Sequence, residues 1–478
     1  MGARQKRIFL QNVIVIGGGL AGLAAGVSLA EADWRVRLFE QRPFLGGRAT
    51  SYVLPDGEHV DNCQHVTLGC CTNLEDFYRR VGCADKIKYF DRLLFQDPQG
   101  RTGTMQAGML PAPFHMTGSF LSFAPLTFAD KRSIGRAMVS ILRGKGHTAD
   151  LEEPGGISML EWLKRRGQTP GAIKRFWRVV LVSALDEELD KTDAHYGVDV
   201  FWKGFLSNRT GYRMGVPVVP LGVLYDGCKA EIEKRGGEVN LRMPLRGMQL
   251  RNAAIESVEF DGGRKESADA YVFAVPHQAL LDMLPEEAKQ REPALGKIAG
   301  IGASPITGVH FWFDRKVMSE PFLTMVDTTT QWIFNKTALY GTNNGSEEKG
   351  QYLQLVISAS YDLLPKPRQE IIDLCLKEVR EFLPEAREAK LAKATVIKEA
   401  AATFSPQPGV DLLRPKQETR IARMLLAGDW TDTGWPATME GAVRSGYLAA
   451  EALLRQAGTP KRLLQTDLAP DGLVRMLF

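Results

Sequence analysis

The stretch from Asn12 to Glu40 constrains this chain more than any other. Residues 12–16 (NVIVI) form the short β-branched run of a strand buried on both faces, and they pass directly into Gly17-Gly18-Gly19-Leu20-Ala21-Gly22. Gly17, Gly19 and Gly22 match G-x-G-x-x-G. The first turns the chain, the second lets backbone approach a pyrophosphate, and the third lets the following helix pack closely on the strand. Leu20 to Ala30 then reads as an alanine-rich helix, and Trp34 to Phe39 as the next strand. That strand ends at Glu40, eighteen residues after Gly22, with Gln41 behind it. The unit predicts a dinucleotide whose pyrophosphate meets the helix start at Leu20 and Ala21 and whose ribose hydroxyls meet Glu40 and Gln41. By itself it does not separate NAD from FAD.

Composition narrows the class. The chain has 478 residues, 44% hydrophobic and 24% charged, with a mean hydropathy of -0.17. That is room for a two-domain enzyme with a large core, and it argues against disorder and a polytopic membrane protein. Sixty Lys+Arg against 56 Asp+Glu leave +4 without clustered basic runs, so nucleic acid is not an expected partner. Six irregularly spaced cysteines without a C-x-x-C pair predict neither a disulfide framework nor a metal site. The basic MGARQKR leads into a strand instead of a cleavable apolar segment, so a cytoplasmic location is expected.

Further along, Gly46-Gly47-Arg48 resembles the second fingerprint of the FAD-dependent family that holds amine oxidases, protoporphyrinogen oxidases and carotenoid desaturases. Near the other end, Met424 to Ala427 reads as a short strand before Gly428-Asp429, and Pro436 to Ala442 opens a helix running to about Leu454. The resemblance implies FAD as cofactor. It places Arg48 and the Gly46 and Gly47 backbone at the diphosphate and ring, and Gly428 and Asp429 at the ribityl or phosphate region. The backbone of Thr438 and Met439 falls at the N1/C2 edge of the ring, where a helix dipole stabilises an anion. Gly236 to Val239 and the strand beyond resemble the family's adenine-side β-ribbon, with Leu245 at the adenine, and Ala270 to Pro276 resembles its returning strand. The expected fold is α/β: a discontinuous Rossmann-like FAD-binding domain (1–75, 212–290 and 415–460) and a mixed sheet-and-helix substrate domain (76–211 and 291–414).

In the second domain, residues 76–211 read as mainly helical, Ile306 to Val317, Gln351 to Ser360 and Ala394 to Ala400 as strands, and Arg368 to Phe382 as an amphipathic helix. With one dinucleotide fingerprint in the chain, an external electron donor is implied. Thr102 to Ala129 carries no Asp, Glu, Lys or Arg, but its prolines and glycines forbid a spanning helix. Lys131, Arg132, Arg136, Arg143 and Lys145 follow, interleaved with Ile134, Met138, Ile141 and Leu142. This pattern suits an interfacial helix on the inner face of a membrane or a lid packed on the protein, and the two stay open. The apolar tail 461–478 docks on either protein or lipid.

The string Val60-Asp61-Asn62-Cys63-Gln64-His65-Val66-Thr67-Leu68-Gly69-Cys70-Cys71 resembles the squalene-associated FAD-dependent desaturases, described as hydroxysqualene dehydroxylases of squalene and hopanoid synthesis. Thr403 to Pro415 and Thr433 to Ala442 resemble that family too. Cys63 stands where members commonly have glycine. The resemblance implies reduction of a small hydrophobic isoprenoid, hydroxysqualene, to squalene by hydride from reduced flavin. It brings Asn62, Gln64 and His65 near the ring. His65 titrates near neutrality and is the candidate acid for the departing hydroxyl, against the plainer reading of a histidine bonded to its own loop. The alternatives are a carotenoid desaturase or an amine oxidase of the same superfamily. The segment Asp429 to Trp435 lacks the tether cysteine seen in some amine oxidases.

Overall fold

The computed structural model describes residues 11–153, 155–341 and 350–477. Its first layer is a five-stranded parallel sheet in the order Glu238–Asn240, Arg35–Phe39, Asn12–Ile16, Ala270–Phe273 and Met424–Leu426. The strand Asn12–Ile16 sits at the centre with four of its five residues buried, as its unbroken apolar run requires. Helices Leu20–Ala30 and Met439–Gln456 pack on each other and on this sheet, so segments over 400 residues apart close one core around Leu23, Val27, Val443 and Tyr447.

The second domain is built on a seven-stranded sheet in the order Leu391–Phe404, Ala303–Phe313, Gln351–Ser358, Trp332–Asn335, Phe322–Met325, Leu93–Gln96 and Thr102–Met105. Its side chains alternate in the two-residue period of a strand. Val309, Phe311, Phe313, Leu353, Leu355 and Ile357 pack with Ile371, Cys375 and Val379 of helix Arg368–Phe382. The intervening His310 and Gln354, paired in register, lie on the opposite face, where Gln354 Nε2 donates to the Asp61 carbonyl and Gly308 abuts Asn62. Residues 128–206 add a helical layer around Trp162, Phe176, Trp177 and Phe201.

Three expectations change. Residues 76–211 are not only helical, because Leu93–Gln96 and Thr102–Met105 complete the large sheet. The boundary at 75 falls inside helix Thr72–Arg80, which buries Leu74, Phe77 and Tyr78 in the core of the parallel-sheet domain. Glu238–Asn240 is an edge strand of the parallel sheet. The antiparallel ribbon begins only at Leu245–Arg251, pairing with Ala254–Phe260. Of the two readings left open for helix Phe128–Arg143, its apolar stripe takes the one packed on protein: Ile134 and Ile141 are buried, and Met138 and Leu142 pack against the same core. A helical period is the same whether it faces lipid or core, so the spacing had no power to choose.

The tail also lies on protein. The Leu463 and Leu464 amides donate to Glu451, the Gln465 amide to Asn73 Oδ1, and the Leu473 amide to the Ala112 carbonyl. Among the described residues no helix is long and apolar enough to cross a membrane.

Candidate active site

The two glycine fingerprints lie against each other. The Gly46 amide donates to the Gly18 carbonyl at 2.8 Å. Gly47, at φ 61°, approaches so closely that a Cβ there would stand 2.9 Å from the Gly19 Cα, and a Cβ on Gly22 would stand 2.0 Å from the Gly17 carbonyl oxygen. Helix Leu20–Ala30 starts at Gly19 with no side-chain cap, leaving its first-turn amides to an anion. Glu40 is buried, and its carboxylate accepts from the Gly18 amide at 2.6 Å and the Arg42 amide at 2.7 Å. A carboxylate has four acceptor positions, so the same group retains two for a ribose. Gln41 follows it as an exposed residue. The Met243 amide donates to the Glu40 carbonyl, which sets Leu245 at the head of the ribbon two residues further on.

Arg48 joins the two ends of the chain. Its Nη2 pairs with Asp429 Oδ1 at 2.6 Å and its Nη1 donates to the Ala402 carbonyl at 2.9 Å. Gly428 is tied to the last helix through Ser445, and Thr438 caps that helix by accepting from the Gly441 amide at 3.0 Å. Met439 is the first residue of the helix. The fully buried side of this turn is held by Arg414, which sequence reading did not single out. Its guanidinium donates to the carbonyls of Asp429, Thr431 and Trp435 and to the Tyr196 hydroxyl. An uncapped helix start, a fixed acid and a paired arginine on one side of one sheet fit a dinucleotide cofactor.

The Asp61–His65 loop lies between the domains. Asn62 Nδ2 donates to the Arg48 carbonyl at 3.0 Å, which places the loop beside the second fingerprint. Gln64 Nε2 donates to the His65 carbonyl, and its Oε1 accepts from Lys336 Nζ at 2.7 Å. His65 Nδ1 donates to the Cys63 carbonyl at 3.0 Å. Burial lowers the His65 pKa, so at neutral pH the ring is uncharged with its proton committed to that carbonyl. This is the arrangement of the plainer reading, and it leaves Nε2 an acceptor instead of an acid. Burial likewise raises the Cys63 thiol, so it is not a thiolate.

Lys336 is the residue that the sequence hid. It is fully buried and bonds Asp61 Oδ2 at 2.8 Å as well as Gln64. Asp61 also accepts from Ser51, the Leu221 amide and Tyr340. Burial alone would raise the Asp61 carboxyl, but the Lys336 ammonium and these donors hold it below the usual carboxylate range. His310 is buried next to the pair and is pushed down to about 3 by burial.

A mainly apolar cavity adjoins these groups. It is lined by Val66, Thr67 and Leu68 just after the loop, by Leu93, Phe95, Met105 and Trp332 of the large sheet, and by Val179, Val180, Ser183, Ala184, Tyr196, Asp199, Val200, Lys203 and Phe205 of the helical layer. Trp435, Pro436, Thr438, Met439 and Glu440 close it at the start of the last helix. Glu440 bonds the Asn73 and Leu74 amides, fastening helix Thr72–Arg80 and the Cys70–Cys71 wall to that helix. The Trp435 indole Nε1 has no hydrogen-bond partner among the described residues.

Comparison with known proteins agrees with this geometry. The sequence pattern of the family described as flavin containing amine oxidoreductase matches residues 20–454. The chain is 27% identical over 474 residues to the zeta-carotene desaturase of Synechocystis sp., covering 93% of this chain and 97% of that one. It is 25% identical over 474 residues to the 15-cis-phytoene desaturase of Solanum lycopersicum, covering 93% and 78%. Its fold is similar to that of an oxidoreductase from Methanosarcina mazei (TM-score 0.70, 17% identity, 93% and 100% covered). Cyclohexylamine oxidase from Brevibacterium oxydans is also similar (TM-score 0.67, 15% identity, 94% and 99% covered).

Proposed function

We propose that this chain, which belongs to the flavin containing amine oxidoreductase family, exchanges a hydride with a long apolar polyisoprenoid. It is an FAD-dependent oxidoreductase. FAD, when bound, supplies or accepts the two electrons as a hydride. The observation that carries the substrate class is the cavity: its walls are mostly aliphatic and aromatic from the large sheet to the start of the last helix. Its two carboxylates, Asp199 and Glu440, are already bonded, to Lys203 and to the Asn73 and Leu74 amides, so an amine would find neither free.

Two reactions fit such a substrate. The curated relatives support desaturation of a carotenoid-type polyene, since they are zeta-carotene and phytoene desaturases along nearly the whole chain. The D-N-x-Q-H string supports reductive dehydroxylation of hydroxysqualene. We take the dehydroxylation forward. In this reading Gly17 to Gly22, Glu40, Arg48, Asp429 and the Thr438–Met439 turn hold the cofactor, the Asp61–His65 loop shapes the reacting end, and the cavity excludes water from it. Electrons come from an external donor. Product analysis after incubation with hydroxysqualene, 15-cis-phytoene and an aliphatic amine tests this. Squalene from the first under reducing conditions is expected, and oxidation of phytoene or the amine alone would replace the reading.

An apolar patch on the surface supports a route of delivery. Met109, Leu110, Phe114, Leu121, Phe128 and Val139 are exposed on one segment, with Lys131, Arg132 and Arg136 on the helix that follows, and the exposed Met476 belongs to the tail helix docked at Ala112. We assign this patch to peripheral contact with an anionic membrane, where a polyisoprenoid resides.

A further inference from the structure

Among the described residues that line the cavity, Lys203 is the only cation. It lies in a single π-turn, Trp202–Leu206, that continues helix Ala194–Phe201. A second π-turn, Ile173–Trp177, runs into helix Arg178–Leu185, which lines the same cavity. Phe201 stacks on Phe176 and meets Trp177 edge-on, so the two turns lie side by side. Such turns are rare and recur at functional sites.

The ammonium is only partly engaged. Lys203 Nζ bonds Asp199 Oδ2 at 2.5 Å, the two side chains being 23% and 13% exposed, and its other two N–H donors make no hydrogen bond among the described residues. The hydroxyls around it are committed. Tyr196 donates to Asp411 and accepts from Arg414, Ser183 donates to the Val179 carbonyl and accepts from Trp332, and Thr438 donates to the Pro436 carbonyl and accepts from the Gly441 amide. Trp435 sets the place of the ammonium in the cavity. Lys203 Nζ stands 5.2 Å from the centre of that ring, and Trp435 leads through Pro436 into Thr438 and Met439 at the start of the last helix.

We propose that Lys203, steadied by Asp199, is the subsite that takes the substrate's hydroxyl, its ammonium donating to the oxygen. This rests on the dehydroxylation reading and supplies its selectivity. A polyisoprenoid alcohol offers the ammonium an acceptor at the end of the cavity next to the last helix, and its hydrocarbon lies along the aliphatic and aromatic walls. A hydrocarbon of the same length buries the same donors without a partner, which weakens its binding. An amine, cationic at neutral pH, meets a like charge whose carboxylate is already paired. Squalene, having lost the oxygen, is the poorer ligand, and this favours its release.

The test is equilibrium binding of tritium-labelled hydroxysqualene and squalene to oxidised, FAD-loaded enzyme in the same detergent micelles. Comparing the ratio of the two affinities between proteins cancels the partition of each lipid into detergent. Lys203→Met should lower the preference for hydroxysqualene over squalene by about 10-fold or more, the loss of one charge-assisted hydrogen bond, while squalene affinity stays within about twofold of wild type. The double variant Asp199→Asn/Lys203→Met leaves no carboxylate unpaired and should lose the same preference, so it decides the matter if the single variant fails to fold. A smaller fall in the preference, or a weakening shared by both ligands, overturns the assignment. Reduced wild type that forms no squalene from hydroxysqualene overturns the dehydroxylation reading instead, and this subsite with it.

Discussion

Replacing Lys336 by Met should destabilise the protein by about 3 to 5 kcal/mol, because it strands a buried carboxylate. The ammonium is wholly inaccessible and makes two charge-assisted bonds, 2.8 Å to Asp61 and 2.7 Å to Gln64. Met fills similar volume, so little of the cost comes from a cavity. What remains is Asp61 with its bonds from Ser51, the Leu221 amide and Tyr340 but no countercharge. The double variant Asp61→Asn/Lys336→Met removes both charges, and its cost should fall short of the sum of the singles by about 0.5 to 3 kcal/mol, the range for neighbours that share one network. The pH dependence follows from the same pair. Asp61 has a depressed pKa in the folded state, so its contribution is present above the usual carboxylate value and is lost as pH falls through the lower, folded value. Without Lys336 burial dominates and raises that pKa, so acid unfolding of Lys336→Met should begin at higher pH than in wild type. Urea unfolding of FAD-loaded protein, followed by far-UV circular dichroism at several pH values, measures both effects. A Lys336→Met cost below about 1 kcal/mol, with an unchanged acid transition, would refute the claim that this pair holds the loop.

Glu40→Ala should weaken FAD binding by about 1.5 to 3 kcal/mol in a fluorescence titration, and it should also lower apoprotein stability because the Gly18 and Arg42 amides lose their acceptor. Arg414→Lys cannot reproduce a fork that reaches three carbonyls around Asp429 and Trp435, so it should lower FAD occupancy on purification and raise the rate of FAD loss on dilution. Replacing Met109, Leu121 and Phe128, exposed by 97%, 63% and 81%, with Ser should reduce co-sedimentation with anionic liposomes and leave the melting temperature unchanged. Phe123→Ser, by contrast, should destabilise the fold by several kcal/mol, about what Phe-to-Ala core truncations cost, since Phe123 is buried against Phe95.

The parallel-sheet domain was readable because its constraints are local. A strand buried on both faces must be apolar throughout, a turn that close to a phosphate and a helix must be glycine, and Glu40 follows at the distance one crossover sets. The polar centre was not readable for the opposite reason. Lys336 sits in the sequence Phe334-Asn335-Lys336-Thr337-Ala338, 275 residues from Asp61, and no periodicity marks a lysine that folds inward. Asp186 and Glu187 open the run Asp-Glu-Glu-Leu-Asp, which in sequence is indistinguishable from a solvated face. The donors brought by Ala359, Thr403, Ser405 and Tyr361 let those two acids be buried. His65 drew notice because its ordinary pKa lies near neutrality, a property that burial takes away.

The central claim, hydride exchange with a polyisoprenoid alcohol in the cavity beside the last helix, is tested most directly by stopped-flow mixing of anaerobic, pre-reduced wild-type enzyme with hydroxysqualene, with the quenched product identified. The account predicts return of the oxidised flavin spectrum together with one squalene per flavin, at a rate that rises and saturates with substrate. A flavin that stays reduced in the presence of hydroxysqualene, while phytoene bleaches the oxidised enzyme, would contradict it and make the chain a desaturase.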